Sequence, residues 1–215
     1  MNTDYLIERL GDRLAPVQPL MRPGRRTFAW MCGATIYLGF LAFSMSSAGV
    51  AANGFGIAFV APQLAAIVTG VLAAAAAFVS VIPGYSTRVF VWPIAAAIVW
   101  MGSLAIGSIH EWSQPGMLLA APHEWLCVAM IVLGGAPLVA VLAAMLRRGA
   151  PLNPAITAAF AALAVGVLAN VGACVSHPHP SHAVTLVWHG ATIMTLVVLA
   201  AATGHAVFTW NTSPR

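Results

Sequence analysis

Residues 149–214 read GAPLNPAITAAFAALAVGVLANVGACVSHPHPSHAVTLVWHGATIMTLVVLAAATGHAVFTWNTSP, and no Asp, Glu, Lys or Arg interrupts them. A helix needs about 20 apolar residues to cross the ~30 Å hydrocarbon core of a bilayer, so this stretch holds more than one crossing. The place to turn is VSHPHPSH, residues 175–182, where prolines, serines and histidines break the apolar run. Asn153 before Pro154 marks the first helix start, with a capping side chain followed by a proline at the first helical position.

The same reading extends outward. Residues 27–87 also lack any charge, so they too contain more than one crossing. The chain is 60% hydrophobic and 7% charged, with a mean hydropathy of +0.90. Soluble domains are about 45–50% apolar and about 25% charged, so this composition belongs to an integral membrane protein. Division at the turn residues predicts six spans, over 27–45, 62–82, 89–107, 124–146, 154–174 and 183–208. In lipid each backbone group must be satisfied within its segment, which helices achieve. The expected fold is therefore all-α, a polytopic bundle of six transmembrane helices.

The nine basic residues are all arginines: Arg9, Arg13, Arg22, Arg25, Arg26, Arg88, Arg147, Arg148 and Arg215. Every one falls on the same side of a six-span arrangement. The positive-inside rule makes that side the cytoplasm, with both termini cytoplasmic. The net charge of +4 thus reflects topology, and no direct nucleic-acid contact is expected. The first 26 residues are mostly polar and precede a run long enough to span, which favours a retained first span over a cleaved signal peptide.

On the opposite side, segments 108–123 and 175–182 hold His110, His123, His177, His179 and His182, five of the seven histidines. Cys127 lies about a turn into the fourth span from that side, and Cys174 ends the fifth. His123 and Cys127 are four apart and share a face if the helix begins by Pro122. Cys174 and His177 are three apart, ahead of Pro178. Two helix ends thus offer a Cys2His2 set suited to Zn(II), or to Cu(I) through its soft thiolates. His179 and His182 are further candidate ligands or solvated turn residues. For the cysteines the alternatives are a disulfide, in an oxidising compartment and with Cα atoms within ~7 Å, or two small core residues.

The other candidates are weaker. Cys32 has no histidine near it in sequence and reads as core. His189 and His205 lie within the sixth span, but a haem would need opposed histidines that no other span supplies. His189 reads as a hydrogen-bonding group inside the bundle, two turns below His182 on the same face. The pairs His110 with Glu111 and His123 with Glu124 lack the three-role arrangement of a catalytic site, so no enzyme is expected.

The tail carries a second signal. Leu6, Leu10 and Leu14 recur at every fourth residue with Ile7 beside them, while Glu8, Arg9, Asp12 and Arg13 take the other faces. Asn2, Thr3 or Asp4 can cap this amphipathic helix, and Pro16 and Pro19 stop it. A helix of about three turns is marginal alone in water, so its apolar stripe needs lipid, the bundle or a cytoplasmic partner's groove.

LIERLGDRLAPVQPLMRPGRR (residues 6–26), LRRGAPLNP (residues 146–154), Cys127 early in the fourth span and Cys174 before a His/Pro loop together resemble the NrsF-type family of six-helix membrane anti-sigma factors. The resemblance covers essentially the whole chain. It implies that segment 1–26, through Leu6, Ile7, Leu10 and Leu14, holds an extracytoplasmic-function sigma factor inactive at the bacterial inner membrane. It also implies that in the bundle, residues 27–210, a pair of outward-facing cysteines matching Cys127 and Cys174 senses heavy-metal or oxidative stress. One departure is that Ala173, where a histidine is expected, directly precedes Cys174; His177 and His179 are close by. The competing expectation is a small membrane metal-binding or metal-transport protein. A transporter needs ionisable groups along its path, and the first three spans have no charged residue.

Overall fold

A computed structural model of the chain describes residues 3–12, 20–45, 56–112, 124–149, 151–176 and 181–208. They form helices α1 (Thr3–Gly11), α2 (Pro23–Met45), α3 (Ile57–Val79), α4 (Val91–Trp112, entered through a 3-10 turn at Thr87–Phe90), α5 (Glu124–Arg147), α6 (Pro154–Ser176) and α7 (His182–Val207). Six of them, α2 to α7, are long and apolar enough to cross a membrane, and no strand occurs among the described residues. The expected all-α membrane bundle is the observed one.

Local chemistry explains several of the helix ends. The Ile156 N–H donates to Asn153 Oδ1 at 3.2 Å, so Asn153 caps α6 and Pro154 is its first residue. The Val184 N–H donates to Ser181 Oγ at 3.3 Å and caps α7. Between α3 and α4, Gly84 takes a φ of 84°, a left-handed conformation open to glycine at no steric cost.

Two span boundaries differ from those expected. Helix α3 begins at Ile57, which leaves Pro62 inside it rather than at its start. A proline near a helix start forfeits a single intrahelical bond, and membrane helices tolerate the loss. Helix α2 begins at Pro23, so Arg25 and Arg26 continue the helix beyond the apolar run instead of marking its edge. Pro23 at the first position supplies the start, as Pro154 does in α6.

Helix α6 is the centre of the bundle, buried over most of its length, and packs against α7, α3, α5 and α2. Lipid supplies no hydrophobic drive for helices to associate, so contact depends on close approach at small residues. A Cβ on Gly204 would stand 2.6 Å from the Pro154 carbonyl oxygen, and one on Gly70 would stand 2.8 Å from Leu168 Cγ. These glycines let α7 and α3 lie directly on α6. Large apolar side chains such as Phe28, Ile36, Phe40 and Phe43 on α2, and Trp92, Ile98 and Ile106 on α4, project outward where lipid would meet them.

The arginine-bearing end of the bundle is tied together by Arg26. This side chain is buried, its Nη2 donates to the Met145 carbonyl near the end of α5, and its guanidinium lies 4.8 Å from the Phe78 ring centroid on α3. A cation is well matched to the carbonyl end of a helix. One turn further along α2, Trp30 Nε1 donates to the Leu138 carbonyl at 3.4 Å. Arg147 Nε, on α5, donates to the Val207 carbonyl at 3.1 Å, the last residue of α7.

Candidate functional site

At the opposite end of the bundle lie the cysteines. Cys127 is buried near the start of α5, and Cys174 is buried near the end of α6, so the two neighbouring spans present a thiol at the same end. Among the described residues all three cysteines are thiols, and Cys32 is exposed on α2. Buried polar groups gather near this end as well: Ser108 on α4, Asn170 and Ser176 on α6, Thr185 and His189 on α7.

The closest association is between Cys174, Asn170 and His189. The His189 Nδ1 and Asn170 Oδ1 atoms are 2.6 Å apart, both residues being essentially inaccessible to solvent. A carbonyl oxygen only accepts, so the ring proton lies on Nδ1 and the basic nitrogen is Nε2. The Cys174 thiol donates toward the same Asn170 Oδ1 at 3.8 Å and lies 4.0 Å from His189 Nδ1. Asn170 and Cys174 are four apart on α6, which stacks them on one face. A thiol, an imidazole and an amide thus converge in the buried interior of the bundle.

A local irregularity brings His189 there. Residues Thr185–His189 form a π turn, after a single α turn at His182–Val184. The extra residue swings the remainder of α7 by about 100° relative to a continuous α-helix. His182 therefore lies against α4, where a Cβ on Gly107 would meet its imidazole Cδ2 at 2.7 Å. His189 instead meets Asn170 on α6, so the two histidines do not share the face that their spacing of seven implies. The π turn also touches α5, the helix that carries Cys127.

The remaining candidate ligands are placed less closely. His123, His177 and His179 lie outside the described residues, as does Leu14, and nothing is described of the side chains of Leu6, His110, Glu111 and Glu124. Among the described residues no group of three His, Cys, Asp or Glu is close enough to hold a metal ion. Those residues alone therefore do not supply a four-ligand zinc shell. On α1, Ile7 and Leu10 are exposed, at 64% and 59%.

Asn170 escapes a reading built on cysteine and histidine spacing. The signal that could have found it is an asparagine in the middle of an apolar run, one turn before Cys174. A polar side chain at membrane depth needs a partner.

Comparison with protein families adds the context. The family described as NrsF, negative regulator of sigma F, matches residues 10–210. The chain belongs to the NrsF family. Within the matched residues fall the six spans, both buried cysteines, all seven histidines, and Leu10 and Leu14 of the tail. The family's description is that of a regulator of a sigma factor and not of an enzyme. No curated protein and no solved structure matches the chain significantly.

Proposed function

We propose that this chain is an anti-sigma factor of the bacterial inner membrane. It sequesters an extracytoplasmic-function sigma factor through its cytoplasmic N-terminal segment and releases it when metal or oxidative stress acts on Cys127 and Cys174. The observation that carries the reading is the division of the molecule. An amphipathic helix with Ile7 and Leu10 uncovered belongs to the arginine-bearing end, and buried thiols with a hydrogen-bonded imidazole occupy the other.

Each half has a chemical role. Leu6, Ile7, Leu10 and Leu14 offer the spaced anchors of a helix that lies in a partner's groove. At the other end, Cys127, Cys174 and His189, with His123, His177, His179 and His182 from the flanking segments, supply the soft thiolate and imidazole donors that Zn(II) or Cu(I) takes. The oxidative alternative joins the two thiols in one S–S bond and passes two electrons and two protons to the oxidant.

The fold links the two ends. Cys174 is on α6, which packs on α5, and the far end of α5 holds Arg26 through the Met145 carbonyl. Arg26 stands at the base of α2, the helix that continues the tail. In this reading a rearrangement of α5 against α6 is passed to Arg26, where α2 begins, and from there along the chain to the tail. A tenfold change in sigma affinity requires only ~1.4 kcal/mol of coupling.

The test is paired. A tagged chain should co-purify the cognate sigma factor and lose it on deletion of residues 1–20, while Cys127→Ser with Cys174→Ser should keep the sigma factor bound during metal or peroxide stress. Unchanged induction of a sigma-dependent reporter in the double serine variant would refute the sensing half. Retention of the sigma factor by the truncated chain would refute the binding half.

A further inference from the structure

Helices α5 and α7 both lie along α6, and they approach each other at their two ends, through the π turn at one and the bond from Arg147 to the Val207 carbonyl at the other. Between those ends is a groove of about 300 Å³, walled by Val139 of α5 with Leu199 and Thr203 of α7 and floored by Gly135, Val165 and Gly166. Gly135 and Gly166 let the helices close on one another at this floor, since a Cβ on Gly135 would stand 3.1 Å from Val165 Cγ1 and one on Gly166 would stand 3.2 Å from Ile193 Cγ1. Thr203 limits the polarity of its wall by donating its hydroxyl to the Leu199 carbonyl at 2.8 Å.

A groove of this volume in the hydrocarbon region does not stay empty. It has room for about ten groups of the ~30 Å³ that a water molecule occupies, and its walls forfeit dispersion contacts if nothing fills it. The lining is largely apolar and offers water few hydrogen-bonding partners, which favours an apolar chain as the occupant.

The mouth identifies the head of that chain. Arg147 is exposed, and its Nε bond to the Val207 carbonyl sets its guanidinium between α5 and α7 at the arginine-bearing end, beyond the groove. No Asp or Glu occurs between Glu124 and Arg215 to neutralise this charge from within the same three helices. Val139 and Arg147 are eight residues apart, about 12 Å along a helix at ~1.5 Å per residue. That distance fits within one leaflet, about half of the ~30 Å hydrocarbon thickness. We propose that the α5–α7 groove is a binding site for an anionic phospholipid, with an acyl chain in the groove and the phosphate on Arg147.

The test uses the full chain reconstituted in nanodiscs of equal phosphatidylcholine and phosphatidylglycerol, then extracted into mild detergent for native mass spectrometry. The expected result is a retained lipid enriched at least fivefold in phosphatidylglycerol. Arg147→Gln should bring that ratio close to one, and Ala136→Phe, which puts a ring into the groove, should lower retention of both lipids severalfold. Thr203→Phe provides a second filling variant on the other wall, with helicity checked by circular dichroism. Equal retention of the two lipids by the wild-type chain overturns the proposal, as does an unchanged ratio in Arg147→Gln. A second copy of the chain as occupant would show as cross-links between copies at Val132 that Ala136→Phe abolishes while lipid retention stays constant, and that result also overturns it.

Discussion

Replacing Asn170 with leucine isolates the bond that orients His189. The two side chains share the same branching and number of heavy atoms, so the change removes the acceptor at 2.6 Å from His189 Nδ1 while leaving no cavity. A typical buried hydrogen bond contributes about 1 kcal/mol net, and a donor left buried without its partner costs about 1–3 kcal/mol. Polar bonds between membrane helices average ~0.6 kcal/mol with a ceiling of ~1.7, because the unfolded chain in lipid also finds partners. Full burial of both residues and the short distance place this bond toward the upper end, at about 1.5 kcal/mol of coupling. The assay is reversible unfolding in mixed micelles for the wild type, Asn170→Leu, His189→Leu and the double variant, combined as a double-mutant cycle. Each single variant should be destabilised, and the double variant should recover part of the loss, since two apolar groups replace a matched polar pair. A coupling below about 0.3 kcal/mol would show that the two residues act independently, and the account of how His189 is oriented would then fail.

Three further outcomes are expected from other parts of the molecule. Leu10→Glu on α1 should weaken sigma-factor co-purification at least thirtyfold, the ~2 kcal/mol of an anchor residue, while thermal stability in detergent is unchanged because Leu10 is exposed. Gly204→Ala should cost about 1–3 kcal/mol in the same unfolding assay, because its new Cβ would stand 2.6 Å from backbone oxygen that cannot yield, while Gly102→Ala, with open space around it, should be neutral or stabilising. Arg26→Met should lose about 2 kcal/mol, from the charge-assisted bond to the Met145 carbonyl and the contact with Phe78, and limited proteolysis should then cut more readily near residue 22.

How much of the molecule is legible in its sequence is set by solvent. Long charge-free runs oblige a chain to cross a bilayer, so six helices and the common end of Cys127 and Cys174 emerge from counting residues. The helix ends differ where a charge or a proline does not act as a stop. Arg26 is not a stop, since its guanidinium finds a carbonyl and an aromatic face inside the bundle. Pro62 is not one either, since α3 begins before it. The partner of His189 is out of reach for another reason. Asn170 is nineteen residues away, and their meeting depends on a π turn in TLVWH, which carries no glycine or proline to announce it. Spacing rules assume a constant number of residues per turn, and they fail at the one place where the site depends on an exception.

That turn has a consequence for how α7 tolerates change. Its upper stub is keyed to α4 by the fit of His182 over Gly107, and its lower rod is keyed to α6 by the fit of Gly204 under Pro154. The surplus residue reconciles two locks cut to different registers. Removing one residue between Thr185 and His189 would restore a plain α-helix, and only one of the locks could then close. A single deletion in this short segment therefore separates the two contacts in a way that no point substitution at either of them can.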